Sequence, residues 1–143
     1  MSDLVIGVGN ALRGDDGVGP WVAEALAARG LPAQVHGGDG VGLIDLFERH
    51  ARLVLVDASH SGAAAGTVTE LDALAGPLPA AFFHYSTHNF GLAEAVETAR
   101  ALDMLPAALT VHAIEGADFA AGQGLSPEVA RAAEALVARL AAG

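Results

Sequence analysis

The most informative stretch of the chain is GVGNALRGDDGVGP, residues 7–20. It follows the apolar run Leu4–Ile6 and precedes a helical pattern, so it predicts a strand-to-helix turn. A dinucleotide-binding turn needs the pattern G-x-G-x-x-G, but Leu12 stands where the third glycine belongs. Asp15 and Asp16 stand where a phosphate would arrive, and their like charges repel an anion. The turn therefore predicts a metal ion or another cationic ligand at the edge of an α/β sheet, not a nucleotide.

Composition limits the classes of protein that remain. The 143 residues are 52% hydrophobic and 17% charged, which predicts one folded domain over residues 1–143 and excludes a disordered chain. The net charge of −10 argues against binding to nucleic acid or to an anionic membrane. There is no cysteine, so disulfides, thiolate ligands and a cysteine nucleophile are excluded. With no signal-peptide pattern and no membrane-spanning apolar run, we expect a cytoplasmic monomer.

Apolar runs alternate with helical patterns in the order β-α-β-α-β-(β)-α-β-α. This order predicts a three-layer α/β/α sandwich around a mainly parallel sheet of about five strands. The predicted strands are Leu4–Val8, Ala33–His36, Arg52–Val56 at the centre, Thr67–Leu71 at an edge, and Leu109–Ile114. The predicted helices are Val18–Arg29, Val41–His50, Phe90–Met104, and a last one from Ser126 to about Leu140. We expect Gly116–Gly124 to form a loop, either a lid or a connection.

Three polar residues are predicted to meet at one edge of this sheet. Asp16 follows the first strand, Asp57 ends the central strand, and His88 comes just before the third helix. In an open parallel sheet, ligands bind beyond the carboxyl ends of the strands, where the strand order reverses. Two carboxylates and one imidazole suit a divalent transition metal that keeps positions open for water or substrate.

Structural roles compete with this interpretation. Asp15 is expected to be a helix cap or a solvated turn residue, and Asp16 either caps the first helix or binds a ligand. The segment DGVG occurs at residues 16–19 and again at 39–42, which we interpret as one turn used twice, with Asp39 capping the second helix. Asp57 also fits a simple turn at a strand end, and His88 a cap or a surface position.

The other histidines and one serine are weaker candidates. His60 and His84 lie near the predicted site, in surroundings of small residues. A structural or surface role is expected for His36, His50 and His112. Ser86 lacks the G-x-S-x-G elbow of serine hydrolases, so serine catalysis is disfavoured.

With these residues assembled, the chain resembles the [NiFe]-hydrogenase maturation proteases over nearly its whole length. Four blocks carry the resemblance: residues 7–19, GDGVG at 38–42 with LVLVDA at 53–58, STHN at 86–89, and IE at 114–115 with LSPEV at 125–129. The resemblance implies a mixed sheet. It also implies that Asp16, Asp57 and His88 form the metal site and carry the catalysis. Within the matching blocks we assign substrate binding to Asn10, Asp39 and Gly40.

The resemblance also implies a function. Proteases of this family remove a C-terminal extension from the hydrogenase large-subunit precursor after nickel insertion. The nickel, which belongs to the precursor and is bound only transiently, is the recognition signal, and no organic cofactor is implied. The alternative is a non-catalytic accessory protein that binds the nickel-loaded precursor without cutting it. A small-molecule hydrolase that uses Asp57 and His88 is a third, more remote possibility.

Three positions depart from the family pattern. Some relatives have glutamate at the position of Asp16, and many have threonine at that of Val41. Gly116 replaces the usual proline, which we expect to loosen the following loop. The last two departures bear on substrate specificity more than on metal binding.

Overall fold

In the computed structural model, which describes residues 3–83 and 89–143, five strands form one sheet between two layers of helices. The strands are β1 (Leu4–Val8), β2 (Ala33–His36), β3 (Arg52–Ser59), β4 (Val68–Asp72) and β5 (Ala108–Glu115). The helices are α1 (Val18–Ala28), α2 (Gly40–Arg49), α3 (Leu92–Ala101) and α4 (Pro127–Ala142). Short 3₁₀ turns lie at Gly14–Gly17 and Ala80–Phe83.

The strand order is β2-β1-β3-β5-β4. Strands β1, β2, β3 and β5 pair in parallel, and β4 pairs antiparallel with β5 at the edge. In β3 every residue after Arg52 is buried, as expected for a strand that helices cover on both faces. The predicted three-layer fold, its central strand and its mixed sheet are therefore confirmed.

The two helical layers bury separate apolar clusters against the two faces of the sheet. Helices α1 and α4 cover one face around Val18, Leu26 and Leu136. Helices α2 and α3 cover the other around Leu43 and Val96. No helix in the described part of the chain is long and apolar enough to cross a membrane.

Strand β1 and helix α1 approach each other so closely that only glycine fits between them. A Cβ atom at Gly19 would collide with the carbonyl oxygens of Val8 and Val56. A Cβ atom at Gly7 would collide with the carbonyl oxygen of Gly19. The glycines of the turn therefore serve backbone packing and bring the start of α1 against the ends of β1 and β3.

Two predicted elements, β3 and α3, have different bounds in the structure. Strand β3 runs on to Ser59, because the pairing with β5 continues to Ser59 and Glu115, so Asp57 lies inside the strand and not after it. Helix α3 is shorter than predicted. It begins at Leu92, where the Glu94 carboxylate accepts a hydrogen bond from the Gly91 amide, and it ends at Ala101, just before Asp103 at φ 58°.

Candidate active site

Asp16 and Asp57 face one cavity at the carboxyl edge of the sheet. From β1 the chain first adds β2 on one side and then β3 on the other, so the strand order reverses between β1 and β3. Asp16 lies in the turn after β1, and Asp57 lies near the end of β3. The part of the cavity formed by described residues has a volume of about 20 Å³, room for roughly one water molecule.

Asp57 is a buried carboxyl group with little to stabilise its charge. Its Oδ1 atom accepts a hydrogen bond from the amide of Ala58 at 2.8 Å. Burial raises the pKa of Asp57 well above its usual value, and the nearby charge of Asp16 raises it further, against the opposing effect of the Ala58 hydrogen bond. Asp57 therefore holds a proton more readily than an ordinary aspartate does.

Asp16 accepts a hydrogen bond and lies near a positive charge. Its Oδ2 atom accepts a hydrogen bond from the amide of Asn10 at 3.0 Å and lies 3.6 Å from Nη1 of Arg13. The side chain of Asp16 is 15% exposed. The two neighbouring carboxyl groups therefore lie in unlike surroundings, Asp57 buried and Asp16 beside an amide and a guanidinium group.

Asp15 neither caps α1 nor faces solvent, and both expectations for it were wrong. It is fully buried and accepts hydrogen bonds from the amides of Ala117 and Asp118 and from the amide and hydroxyl of Ser126, at 2.7–2.9 Å. Burial alone raises the pKa of Asp15, but these hydrogen bonds outweigh it and hold the pKa below its usual value. Asp15 thus fastens the loop before α4 to the turn after β1.

The segment that follows Gly116 makes hydrogen bonds at several points, and the expectation that this glycine loosens it stays a prediction. The amide of Gly116 donates to the carbonyl oxygen of Ser59 at 3.0 Å. Gly122 exchanges backbone hydrogen bonds with Leu12 and Gly14. A Cβ atom at position 116 would lie 2.6 Å from the ring of Phe119, so the glycine makes room for that ring, which lines the cavity.

The repeated segment DGVG forms two different turns, which corrects the interpretation of one turn used twice. Asp39 is the N-cap of α2 as predicted, and its Oδ2 accepts from the amide of Gly42 at 2.8 Å. Asp16 lies in a 3₁₀ turn, and the N-cap of α1 is Gly17, without a side-chain cap. Asp16 is thereby free of a capping role and is turned toward the cavity.

The three residues assigned to substrate binding have structural partners in this fold. The amide of Gly40 donates to the carbonyl oxygen of Phe90 at 2.7 Å, and the ring of Phe90 lies where a Cβ atom at position 40 would be. Asn10 is exposed, and its Oδ1 accepts from the amide of Leu12 at 2.9 Å. Contact of Asn10, Asp39 and Gly40 with substrate stays a prediction.

The third predicted ligand, His88, lies outside the described residues, as do His84 and Ser86. Among residues 3–83 and 89–143, no three His, Cys, Asp or Glu side chains are grouped in a way that could hold a metal ion. Asp16 and Asp57 are the two carboxylates that remain for a metal brought by a substrate. Their role as ligands and catalytic groups stays a prediction.

Two residues that sequence reasoning ranked low or missed also lie at this edge. His60 lines the cavity, although its small-residue surroundings had counted against it. Glu115, at the end of β5, is buried and accepts hydrogen bonds from Ser59, Ser61 and Gly62. The signal for Glu115 was an acidic residue that closes an apolar strand beside β3, the same pattern that singled out Asp57. His112 is buried within β5, away from the cavity.

Comparison with known proteins identifies the family. The family model described as hydrogenase maturation protease (HycI) matches residues 20–142. The hydrogenase 3 maturation protease of Escherichia coli K12 is 36% identical over 102 residues, 64% of this chain and 60% of that protein. The hydrogenase expression/formation protein HupD of Rhodobacter capsulatus is 30% identical over 135 residues, 89% of this chain and 63% of that protein. The matches thus span about three fifths of these relatives' length.

A solved structure agrees over nearly the whole chain. The hydrogenase maturating endopeptidase HybD from Escherichia coli superposes with a TM-score of 0.80 at 26% identity, covering 99% of this chain and 91% of that one. The sequence blocks, the strand order and the family match over residues 20–142 agree, and the chain belongs to the hydrogenase maturation protease family.

Proposed function

We propose that this protein is an endopeptidase that removes the C-terminal extension of a [NiFe]-hydrogenase large-subunit precursor after its nickel has been inserted. Membership in the family supports processing of a hydrogenase precursor. The observation that carries the chemistry is the pair of carboxylates, Asp16 and Asp57, which face one cavity where the strand order reverses. That is the position where open α/β sheets bind their ligands.

In this proposal nickel is part of the substrate. A nickel ion in the precursor would meet the oxygens of Asp16 and Asp57, with the imidazole of His88 as the third contact. Oxygen and imidazole ligands suit a borderline divalent ion. Such a contact would hold the neighbouring peptide at the carboxyl edge of the sheet.

A carboxyl group of the protein then moves the protons. A water molecule attacks the carbonyl carbon of the scissile bond, and a carboxylate oxygen of Asp16 that does not contact nickel accepts the proton that the water loses. The C–N bond breaks, and Asp16 passes this proton on to the leaving amine. The carboxylate of Asp57, in contact with nickel, holds the substrate in position.

The charge of the chain adds a property of the substrate. With a net charge of −10, the protein attracts positively charged partners and repels acidic ones. We therefore expect the precursor to carry basic residues near its cleavage site.

A cleavage assay followed by mass spectrometry tests the proposal. Purified protein is mixed with nickel-loaded and with nickel-free large-subunit precursor. We expect the extension to be lost from the loaded form only, and Asp16→Asn to abolish the loss. Asp45→Asn, a matched exposed aspartate on α2, serves as the control and should cleave like wild type. Binding of the loaded precursor without cleavage would favour the accessory protein instead.

A further inference from the structure

His60 stands in the cavity beside the two aspartates, and the mechanism above does not use it. It lies just after the end of β3 and lines the same cavity as Asp16 and Asp57. Hydrogen bonds to a buried carboxylate and a contact between two rings hold the chain around His60.

A single buried carboxylate fixes the backbone on both sides of His60. Glu115 is 3% exposed. It accepts hydrogen bonds from the hydroxyl of Ser59 at 3.1 Å, from the amide and hydroxyl of Ser61 at 2.9 and 2.8 Å, and from the amide of Gly62 at 3.2 Å. These donors come from the residues before and after His60, so Glu115 holds the loop on both sides of His60.

Two further contacts hold His60 itself. Its amide donates to the carbonyl oxygen of Phe82 at 2.8 Å. Its ring meets the ring of Phe119 edge to face, with centroids 5.7 Å apart and an interplanar angle of 71°. Phe119 occupies the space that Gly116 leaves open, so the departure at position 116 builds part of the cavity wall against which His60 rests.

The arrangement favours a contact with peptide over a contact with metal. Within the described ranges, the imidazole of His60 and the two aspartates do not form a group that could hold a metal ion. An imidazole held at the edge of a cavity is, however, well placed to hydrogen-bond an oxygen of the bound chain. Donors fixed in advance stabilise charge on a carbonyl oxygen without reorganising during the reaction.

We propose that His60 is a substrate-contacting residue that donates a hydrogen bond to the carbonyl oxygen of the scissile peptide bond, and that Glu115 is the residue that positions it. This inference rests on the proposed function and adds a group to the same site. A donor that acts on the developing oxyanion affects turnover more than binding.

The test measures kcat and KM on the nickel-loaded precursor. We expect His60→Ala to lower kcat about 100-fold while KM changes less than about threefold, as for the loss of one oxyanion donor. His60→Gln, whose amide can donate, should recover part of kcat. His50→Ala, at the far end of β3, is the matched control and should leave both constants unchanged. Wild-type kcat in His60→Ala would overturn the assignment.

A double-mutant cycle tests the role of Glu115. If Glu115 acts through His60, then Glu115→Gln lowers kcat in the wild type but has no further effect in His60→Ala. Ser61→Ala, which removes one of the hydroxyl donors, is the milder variant if Glu115→Gln fails to fold, and it should follow the same pattern. Additive losses in the double variant would overturn the positioning role.

The outcomes separate the two proposals. If wild type cleaves the loaded precursor and His60→Ala cleaves it equally fast, the result contradicts the His60 assignment alone. A wild-type protein that leaves the loaded precursor intact contradicts the proposed function and the His60 assignment with it.

Discussion

At the residue scale, the number of hydrogen-bond donors decides how each buried carboxyl group at the sheet edge behaves. Burial pushes the pKa of all of them upward. For Asp15 and Glu115 several amide and hydroxyl donors outweigh burial, and the pKa falls below its usual value. Asp57 has the amide of Ala58 on one side and the charge of Asp16 on the other, so its pKa rises. Buried carboxyl groups at this edge thus supply two structural anions and, at Asp57, one group that favours its protonated form in the protein without metal.

Asp57 is expected to cost stability, because the folded state must bury a group that is ionised in the unfolded chain at neutral pH. We predict that Asp57→Asn raises Tm at pH 7 by about 3 °C, the shift that roughly 1 kcal/mol produces in a domain of this size. The gain should vanish below about pH 4, where Asp57 is protonated in both states. Thermal unfolding across this pH range checks it, with the exposed Asp45→Asn as control. A lower Tm at pH 7 would contradict it.

At the element scale, local patterns predicted the strands and helices well, because the spacing of apolar residues in a segment reflects which of its faces is buried. Strand β1 was predicted to the residue, and α1 to within one residue of its end. Helix α2 buries Leu43, Leu46 and Phe47, which have the spacing i, i+3, i+4 of one helix face. These features depend only on near neighbours in the chain.

The turns were predicted less well, because distant residues decide their shape. The segments at 16–19 and 39–42 have the same sequence, yet only Asp39 caps a helix. In the first turn the preceding Asp15 accepts hydrogen bonds from the amides of Ala117 and Asp118, more than 100 positions later in the chain. No local pattern carries that information, and it is also why Asp15 was misjudged as a cap or solvated residue.

The prediction of the candidate site was limited for the same reason. Asp16 and Asp57 could be predicted because both lie at the carboxyl ends of strands, and the strand order brings them to one cavity. His60 was ranked low because its anchors, Glu115 and Phe119, are far away in sequence. His88 remains a sequence prediction.

At the scale of the whole molecule, Asp15 links two regions that are far apart along the chain. It joins the turn after β1 to the loop that leads into α4. The same loop carries Phe119 into the cavity wall. The stability of the fold and the shape of the site are therefore connected through one carboxylate, and both depend on its ionisation.

This link predicts a specific sensitivity to acid. Because the pKa of Asp15 is lower in the folded state, its ionised form stabilises the fold above about pH 4, and that contribution is lost as pH falls through the folded pKa. We expect Asp15→Asn to lower the free energy of unfolding at pH 7 by about 2 kcal/mol and to weaken its decline between pH 5 and pH 3. Urea unfolding at several pH values measures this. A decline as steep as that of wild type would refute the assignment.

We propose that Asp16 and Asp57 act together in a nickel-dependent processing enzyme, and the measurement to make is single-turnover cleavage of nickel-loaded precursor by Asp57→Asn. The variant keeps the shape of the side chain and removes its negative charge. We expect a folded protein that releases no C-terminal extension under conditions in which wild type completes the reaction. Cleavage by Asp57→Asn at the wild-type rate would contradict it.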